Sequence, residues 1–368
     1  MQSFDKLFGG IYKGKTVLVT GHTGFKGSWL SLWLEKMGAN VVGYSLEPPT
    51  QPNHFGLLTI NMTSIIGDIR DSGKLDEVMA THTPEIVFHL AAQPLVRLSY
   101  REPVETFEVN AIGSLKVFEA CRKAGSVKSL VSITTDKVYR NNEWVWGYRE
   151  SDPFGGYDPY SASKACAEIA TDSYRNSFFN LDRYGIDHNT LLCTTRAGNV
   201  VGGGDWAADR LIPDIMKAVS RKEPVIIRNP KSTRPWQHVL EPLAGYLALG
   251  EKLYQGEKMF AEGWNFGPSD DDVLSVHEIL NIIREFWPDI EYEIQANPNN
   301  PHEAGMLQLD WAKARTYLKW QPVWKMNTTI ERITNWYRNY YQKNEISSLD
   351  DLQQYVADAR ALGLDWTK

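Results

Sequence analysis

Six short apolar runs punctuate the first two hundred positions: TVLVT (16–20), NVVGYS (40–45), SIIGDI (64–69), EIVFHLA (85–91), SLVSITT (129–135) and NTLLCTTRA (189–197). Stretches this uniformly apolar suit strands covered on both faces. The helix-length amphipathic segments between them make successive strands parallel. The pattern predicts an α/β fold with a Rossmann-like, doubly wound parallel sheet. Beyond Asn199 the rhythm loosens into short pieces rich in Gly, Pro and Trp, with helices expected near 208–221, 275–287 and 325–343. A charged, helix-like tail follows from Ser347 to Leu364.

With 368 residues, 42% hydrophobic and 23% charged, the chain can bury a full core and is expected to form two lobes. A net charge of −6 and a pI near 5.8 argue against a nucleic-acid partner, because phosphate backbones would be repelled on average. An anionic small ligand would then need locally placed Arg or Lys. Cys121, Cys166 and Cys193 lie far apart without CxxC spacing. They read as buried, reduced thiols of a cytoplasmic protein, neither a disulfide frame nor a metal site. No stretch approaches eighteen apolar residues, and the N-terminus lacks a long apolar segment of the secretory kind, so neither a membrane partner nor export is expected.

The first run ends at Thr20 and passes into Gly21, Gly24 and Gly27, then into the apolar stretch SWLSLWLEKM. This is a strand, a tight turn and a helix. The first glycine permits the turn, the second lets a pyrophosphate approach the backbone, and the third allows the helix to pack on the strand. Free N–H groups and the helix dipole favour phosphate there. After the second run, VVGYSLEPP offers Tyr44 and Ser45 where a ribose-binding acid often stands, with Glu47 just beyond. No Arg or Lys occurs between Gly43 and Gln51, so NAD is favoured over NADP. Asp68 and Ile69, in GDIRD, follow the third run, where a carboxylate could meet an adenine edge. Farther on, Tyr160 and Lys164 share one helix face in DPYSASKACAEIA, so that an ammonium can sit near a phenol and help it act as a base. The domains expected are a dinucleotide-binding unit over 1–200, to which 235–265 returns, and a smaller substrate-binding unit with the tail over 201–368.

In chain order, GHTGFKG, GDIRD, HLAAQPLV, VNAIGSLKVFEAC, SITTDKVY, YSASKACAE, RAGNVVGGGD and RPWQHV resemble the extended short-chain dehydrogenase/reductase superfamily over nearly the whole length. TTDKVY is similar to the Thr-Asp site of its nucleotide-sugar 4,6-dehydratases, and with RNPKSTRPWQHV the likeness is greatest to the branch acting on CDP-glucose. This resemblance implies NAD as an internal hydride carrier and a CDP-sugar substrate. It implies that Tyr160 is the base at the sugar C4 hydroxyl, supported by Lys164, that Thr135 bonds the C4 oxygen, and that Asp136 is the acid for the C6 hydroxyl. Many relatives carry glutamate where this chain has Lys137, so either a neutral lysine removes the C5 proton or its charge stabilises the enolate. The resemblance places Gly21, Thr23, Gly24, Phe25, Lys26, Gly27, Ser45, Asp68, Ile69, Leu90, Ala91, Ala92, Gln93, Asn110 and Thr134 around the cofactor. It places Asn199, Arg234, Gln93, Arg210 and His302 at the substrate. Arg196 reads as an internal strut, Arg228 and Lys231 are weaker phosphate candidates, and Trp206 and Trp236 are candidate lid residues. A homodimer or homotetramer through helices near 103–123 and 159–180 is implied as well. Two other readings are open: a nucleotide-sugar 4-epimerase, which needs no acid at C6, and a non-catalytic NAD-binding regulator.

Overall fold

A computed structural model of the chain describes residues 4–227, 230, 233–269, 272, 274–295 and 306–368. Its main elements begin with β1 (Thr16–Thr20), α1 (Phe25–Lys36), β2 (Asn40–Ser45), α2 (His54–Leu57), β3 (Thr63–Ile66), α3 (Ser72–His82), β4 (Ile86–His89), α4 (Val96–Arg101), α5 (Pro103–Phe107), α6 (Ser114–Ala124), β5 (Ser129–Ile133), α7 (Pro159–Ser177) and β6 (Leu191–Ala197). They continue as β7 (Asn199–Val201), α8 (Leu211–Arg221), β8 (Val225–Ile227), β9 (Thr233–Arg234), β10 (Trp236–His238), α9 (Leu240–Tyr254), β11 (Gly263–Phe266), β12 (Leu274–Ser275), α10 (Val276–Phe286), β13 (Tyr292–Ile294), α11 (Met326–Lys343) and α12 (Ser348–Ala361).

Seven strands form one sheet in the order β11-β6-β5-β4-β1-β2-β3, every pairing parallel. The order reverses direction beside β1, which opens a crevice above its carboxyl end where a ligand can sit. The third and fifth strands stop earlier than their apolar runs do. The backbone turns at Gly67, where a Cβ would strike the Tyr44 ring at 2.4 Å, and the chain leaves the sheet after Ile133.

One face of the sheet packs on α1, α9 and the chain's C-terminal part, joining Val17, Trp33, Leu247, Tyr355 and Trp366; the other carries α3 and α6 through Leu75, Phe118 and Leu130. A further core binds α8, α10 and α11 around Ile215, Leu280 and Trp336. The charged tail is helix α12, and beyond it Trp366 stacks on Phe8 with ring centres 5.1 Å apart.

One expectation fails here. Cys121 and Cys193 are buried, but Cys166 is exposed, because it lies on a face of α7 that its neighbours do not cover and where Ile169 is also exposed. Trp206 and Trp236, expected at a lid, line the cavity from within the core around α8, α10 and α11, where both are buried and the Trp206 indole donates to Tyr341 Oη at 3.0 Å.

Candidate active site

The turn after β1 is built for close approach. Gly21 has φ +79°, and a Cβ there would stand 2.7 Å from the amide of Ala91; a Cβ on Gly27 would stand 2.1 Å from the Gly21 carbonyl. Gly24 precedes α1 in an extended conformation and offers no capping side chain, so the first N–H groups of the helix stay available. They open on a cavity of about 1780 Å³ walled by the carboxyl ends of the sheet strands and by residues of the core around α8 and α10. A pyrophosphate-bearing dinucleotide fits this cradle, since the backbone packs tightly at Gly21 and Gly27 and holds the turn with the free N–H groups at the start of α1 facing the cavity.

Most of the cofactor residues expected from sequence do line this cavity: Gly21, Thr23, Gly24, Phe25, Lys26 and Gly27 from the turn, Ser45, Asp68 and Ile69 beyond β2 and β3, and Leu90, Ala91, Ala92 and Thr134 beyond β4 and β5. Thr23 spends its single proton on the Leu46 carbonyl at 2.8 Å, so the Ser45 hydroxyl donates to Thr23 Oγ1, also at 2.8 Å. Asp68 is held by Arg70, whose Nη2 lies 2.6 Å from Oδ2, and that hydrogen bond keeps the carboxyl below its usual range. Lys26 is half-buried, and loss of solvent around its ammonium together with the Arg210 charge drives it down to about 7.

Gln93 and Asn110 stand behind the wall and not in it. Asn110 sits in a π-helical turn, Glu108–Gly113, accepts from Gln93 N at 2.8 Å and donates to Gln93 O and to Ser163 Oγ. The Gln93 side chain is turned onto Thr106 and Leu95. Both brace the 91–95 turn.

At the reacting end, Thr135, Asp136, Lys137, Tyr160 and Lys164 all face the cavity. Thr135 caps a single 3-10 turn over Asp136–Val138, and Asp158 caps α7 by accepting from Ser161 N at 2.9 Å, with Pro159 in the first turn. Tyr160 is further fixed by its amide, which donates to Ser99 Oγ at 3.1 Å. Thr135 Oγ1 donates to Asp136 Oδ1 at 2.9 Å and hydrogen-bonds the Tyr160 hydroxyl. Lys137 Nζ approaches the same Asp136 Oδ1 at 3.4 Å, so both contacts fall on one carboxylate oxygen. Burial raises the Tyr160 phenol, and the charge of Lys137 pulls it down. The sequence places Lys164 nearest the phenol; instead its Nζ is anchored on the Ile133 carbonyl at 2.8 Å, and Lys137 is the stronger cation at Tyr160. Burial lowers Lys164 to about 8, against the pull of Glu168.

Across the cavity, Asn199 and Arg210 line its wall, and Arg210 Nη1 donates to Asp205 Oδ2 at 2.8 Å. Arg234 lies in β9 opposite Leu274, and only its backbone falls within the described residues; His302, Arg228 and Lys231 lie outside them. Sequence reasoning passed over Asp205, which organises the turn into α8, and Arg97, which reaches across the cleft from α4 to Asp209 at 3.0 Å. Asp205 could have been found as the polar residue closing the VGGGD run; a lone arginine on a short helix gives no signal.

A glycine turn under a parallel sheet, with a tyrosine and lysine four apart facing it, defines an extended short-chain dehydrogenase/reductase. Within that class the chain belongs to the family described as GDP-mannose 4,6 dehydratase, whose profile matches residues 18–333. It is 51% identical, over 96% of its own length and 98% of the relative's, to a CDP-glucose 4,6-dehydratase of Salmonella typhimurium. A UDP-glucose 4-epimerase of Halalkalibacterium halodurans is 27% identical over 88% of this chain and 96% of that one. Among solved structures, an epimerase of Methanothermobacter thermautotrophicus superposes with a TM-score of 0.79 at 25% identity, covering 90% of this chain and 94% of the other. The Thermus thermophilus UDP-glucose 4-epimerase complex with NAD shares the fold at 24% identity, with a TM-score of 0.75 over 88% and 99% of the two chains.

Proposed function

We propose that this protein is an NAD-dependent 4,6-dehydratase that converts CDP-D-glucose to CDP-4-keto-6-deoxy-D-glucose and water. The observation that carries the reading is the meeting of Thr135, Asp136 and Lys137 with Tyr160 in one cavity, beyond a glycine cradle. The 51% relative favours the cytidine nucleotide. NAD, held by the turn from Gly21 to Gly27 and by Ser45, supplies a hydride acceptor for C4 and later a hydride donor for C6.

The chain's own residues handle the protons. Tyr160 Oη takes the proton of the C4 hydroxyl as that carbon is oxidised, and Thr135 holds the oxygen that becomes the ketone. The ketone acidifies the C5 hydrogen. Asp136, whose Oδ1 is taken up by Thr135 and Lys137, protonates the departing C6 hydroxyl through Oδ2 so that water leaves. Lys137 either accepts the C5 proton as a free amine and returns it to C5 once hydride has reached C6, or faces the enolate as a cation while another group takes and returns that proton; C5 deuterium that no longer exchanges in Lys137→Met favours the first, and exchange that persists favours the second. Lys164, fixed on Ile133, is assigned to the cofactor ribose, and Lys137 to the phenolate. Asn199, Arg210 and Arg234 are assigned to the diphosphate and sugar.

We also assign the chain to a reducing, cytoplasmic setting and to deoxysugar supply for surface polysaccharide. A homodimer or homotetramer would cover Val104, Ile112 and Ile169, which are 71%, 48% and 58% exposed on the α5 to α7 surface. An Ile169→Glu variant should shift the mass in light scattering toward a monomer.

The deciding test is incubation with CDP-, dTDP-, UDP- and GDP-hexoses, scored by mass for loss of water. Water loss from CDP-glucose well ahead of the others is expected. Inversion at C4 without water loss would make the protein an epimerase, and NAD binding without conversion of any sugar would leave it a regulator.

A further inference from the structure

His54 lies where four parts of the chain meet, and nothing in the proposed chemistry uses it. It is 2% exposed, stacks on Trp29 with centroids 4.8 Å apart, and fills the space beside Gly204, where a Cβ would stand 2.4 Å from its ring. Its Nε2 meets Ser348 Oγ at 2.8 Å and its Nδ1 meets Ser28 Oγ at 2.8 Å. Ser348 begins α12, and Ser28 lies in the first turn of α1, immediately after the glycine cradle.

Proton bookkeeping gives these contacts one direction. The Trp336 indole Nε1–H can only donate, and it does so to Ser348 Oγ at 2.9 Å. Ser348 then has its own proton for His54 Nε2, which must accept. The neutral ring therefore carries its proton on Nδ1 and donates to Ser28 Oγ. Ser28 passes its proton to the Phe25 carbonyl at 2.9 Å, an atom that can only accept. With an obligate donor at one end and an obligate acceptor at the other, every proton along the chain has one place to go. Burial agrees, since it holds His54 down at about 3 and keeps the ring neutral. The chain runs from the substrate lobe through the C-terminal helix to the carbonyl of the residue that follows Gly24.

We propose that Ser348, acting through His54 and Ser28, is a positioning residue for the dinucleotide turn, so that α12 and Trp336 set how tightly NAD is held. Phe25 and Gly27 line the cofactor cavity, as does His54 itself. Fixing the Phe25 carbonyl fixes the peptide planes whose N–H groups face the ligand. The inference rests on the NAD-binding reading above, and its test separates the two.

NAD affinity is measured by titration calorimetry on the full chain without any sugar. Binding by the unmodified protein checks the cofactor reading alone. Ser348→Ala and Ser28→Ala are each expected to weaken NAD about five- to tenfold, while kcat at saturating NAD and sugar changes less than twofold. The double variant should be no weaker than either single one, because both break the same chain. A thermal midpoint accompanies each measurement, taken well above the titration temperature. A midpoint that falls while NAD affinity stays unchanged in both single variants would reduce the chain to a structural knot and overturn the inference. Losses that multiply in the double variant would overturn it equally. Should Ser348→Ala not fold, Ser28→Ala and His54→Gln carry the same comparison, and unchanged affinity in both refutes it.

Discussion

The guanidinium of Arg196 grips the Glu168 carboxylate at two points, Nε to Oε1 at 2.8 Å and Nη2 to Oε2 at 2.9 Å, with side chains only 4% and 2% exposed. The pair lies directly behind the reacting end. Glu168 also accepts from Thr134, next to Thr135, and Arg196 Nη1 donates to Tyr139 Oη at 2.6 Å. Removing one partner leaves a buried charge uncompensated, which costs about 3–5 kcal/mol. Glu168→Ala should lower the unfolding free energy measured by denaturant titration by that order, whereas Glu168→Ala with Arg196→Met should lose less than the single variant does. A double variant as unstable as the sum of both singles would contradict this.

Thr135 joins the phenol to the acid, since one hydroxyl meets both Tyr160 and Asp136. Valine has nearly the same shape without the hydroxyl, and serine keeps the hydroxyl without the methyl. Thr135→Val is expected to reduce kcat roughly 10²-fold, the usual scale for one such donor, with NAD affinity unchanged. Thr135→Ser should recover most of the rate. Equal rates for the two variants in steady-state assays would show that the hydroxyl is idle.

Lys137 leads the pulls that lower Tyr160 against the rise caused by burial. Taking away a cation favours the neutral phenol, so the base becomes available only at higher pH. The ascending limb of kcat/KM against pH should therefore move upward in Lys137→Met. A limb that stays in place, whatever happens to the plateau, would remove Lys137 from the ionisation of Tyr160.

These residues differ in how far the sequence announced them. The strand-turn-helix around Gly21, Gly24 and Gly27 is legible because backbone sterics leave few alternatives, whereas Thr135 and Asp136 are found only through the resemblance of TTDKVY to a dehydratase site, since no periodicity marks them. The position of Lys164 was half legible: helical spacing put it on the face of Tyr160, but only the fold brings the Ile133 carbonyl within 2.8 Å of its ammonium. Asn110 and Gln93 were placed in the cofactor wall by resemblance, and a π-helical turn that no periodicity marks sets them behind it. Cys166 looked buried because its segment is helical and small-residue rich, yet which face of a helix is covered depends on packing between distant elements. His54 and Ser348 are 294 positions apart, and nothing local to either hints at the other.

Glu241 supplies the clearest expectation for pH and stability. It sits on α9, only 1% exposed, and accepts from Trp324 N at 2.8 Å, Val323 N at 3.0 Å and Tyr355 Oη at 2.7 Å. Burial outweighs those donors and pushes the carboxyl from 4.5 up to about 7. In the unfolded chain it returns to the ordinary value, so between pH 4.5 and 7 the native state holds a proton that the unfolded state has released. Stability from this group is complete below pH 4.5, declines as pH rises through the window and is gone above 7, an effect of roughly 3 kcal/mol. Glutamine is neutral throughout and removes that slope. Asp351 is raised to about 7 as well and Glu150 in the same direction, but both are present in either protein and cancel in the comparison. Urea unfolding of the unmodified protein and of Glu241→Gln at intervals from pH 4.5 to 8 should show the difference between them moving in favour of the variant as pH rises. A difference that stays flat across that range would mean Glu241 is ionised in the folded state, with its three donors outweighing burial.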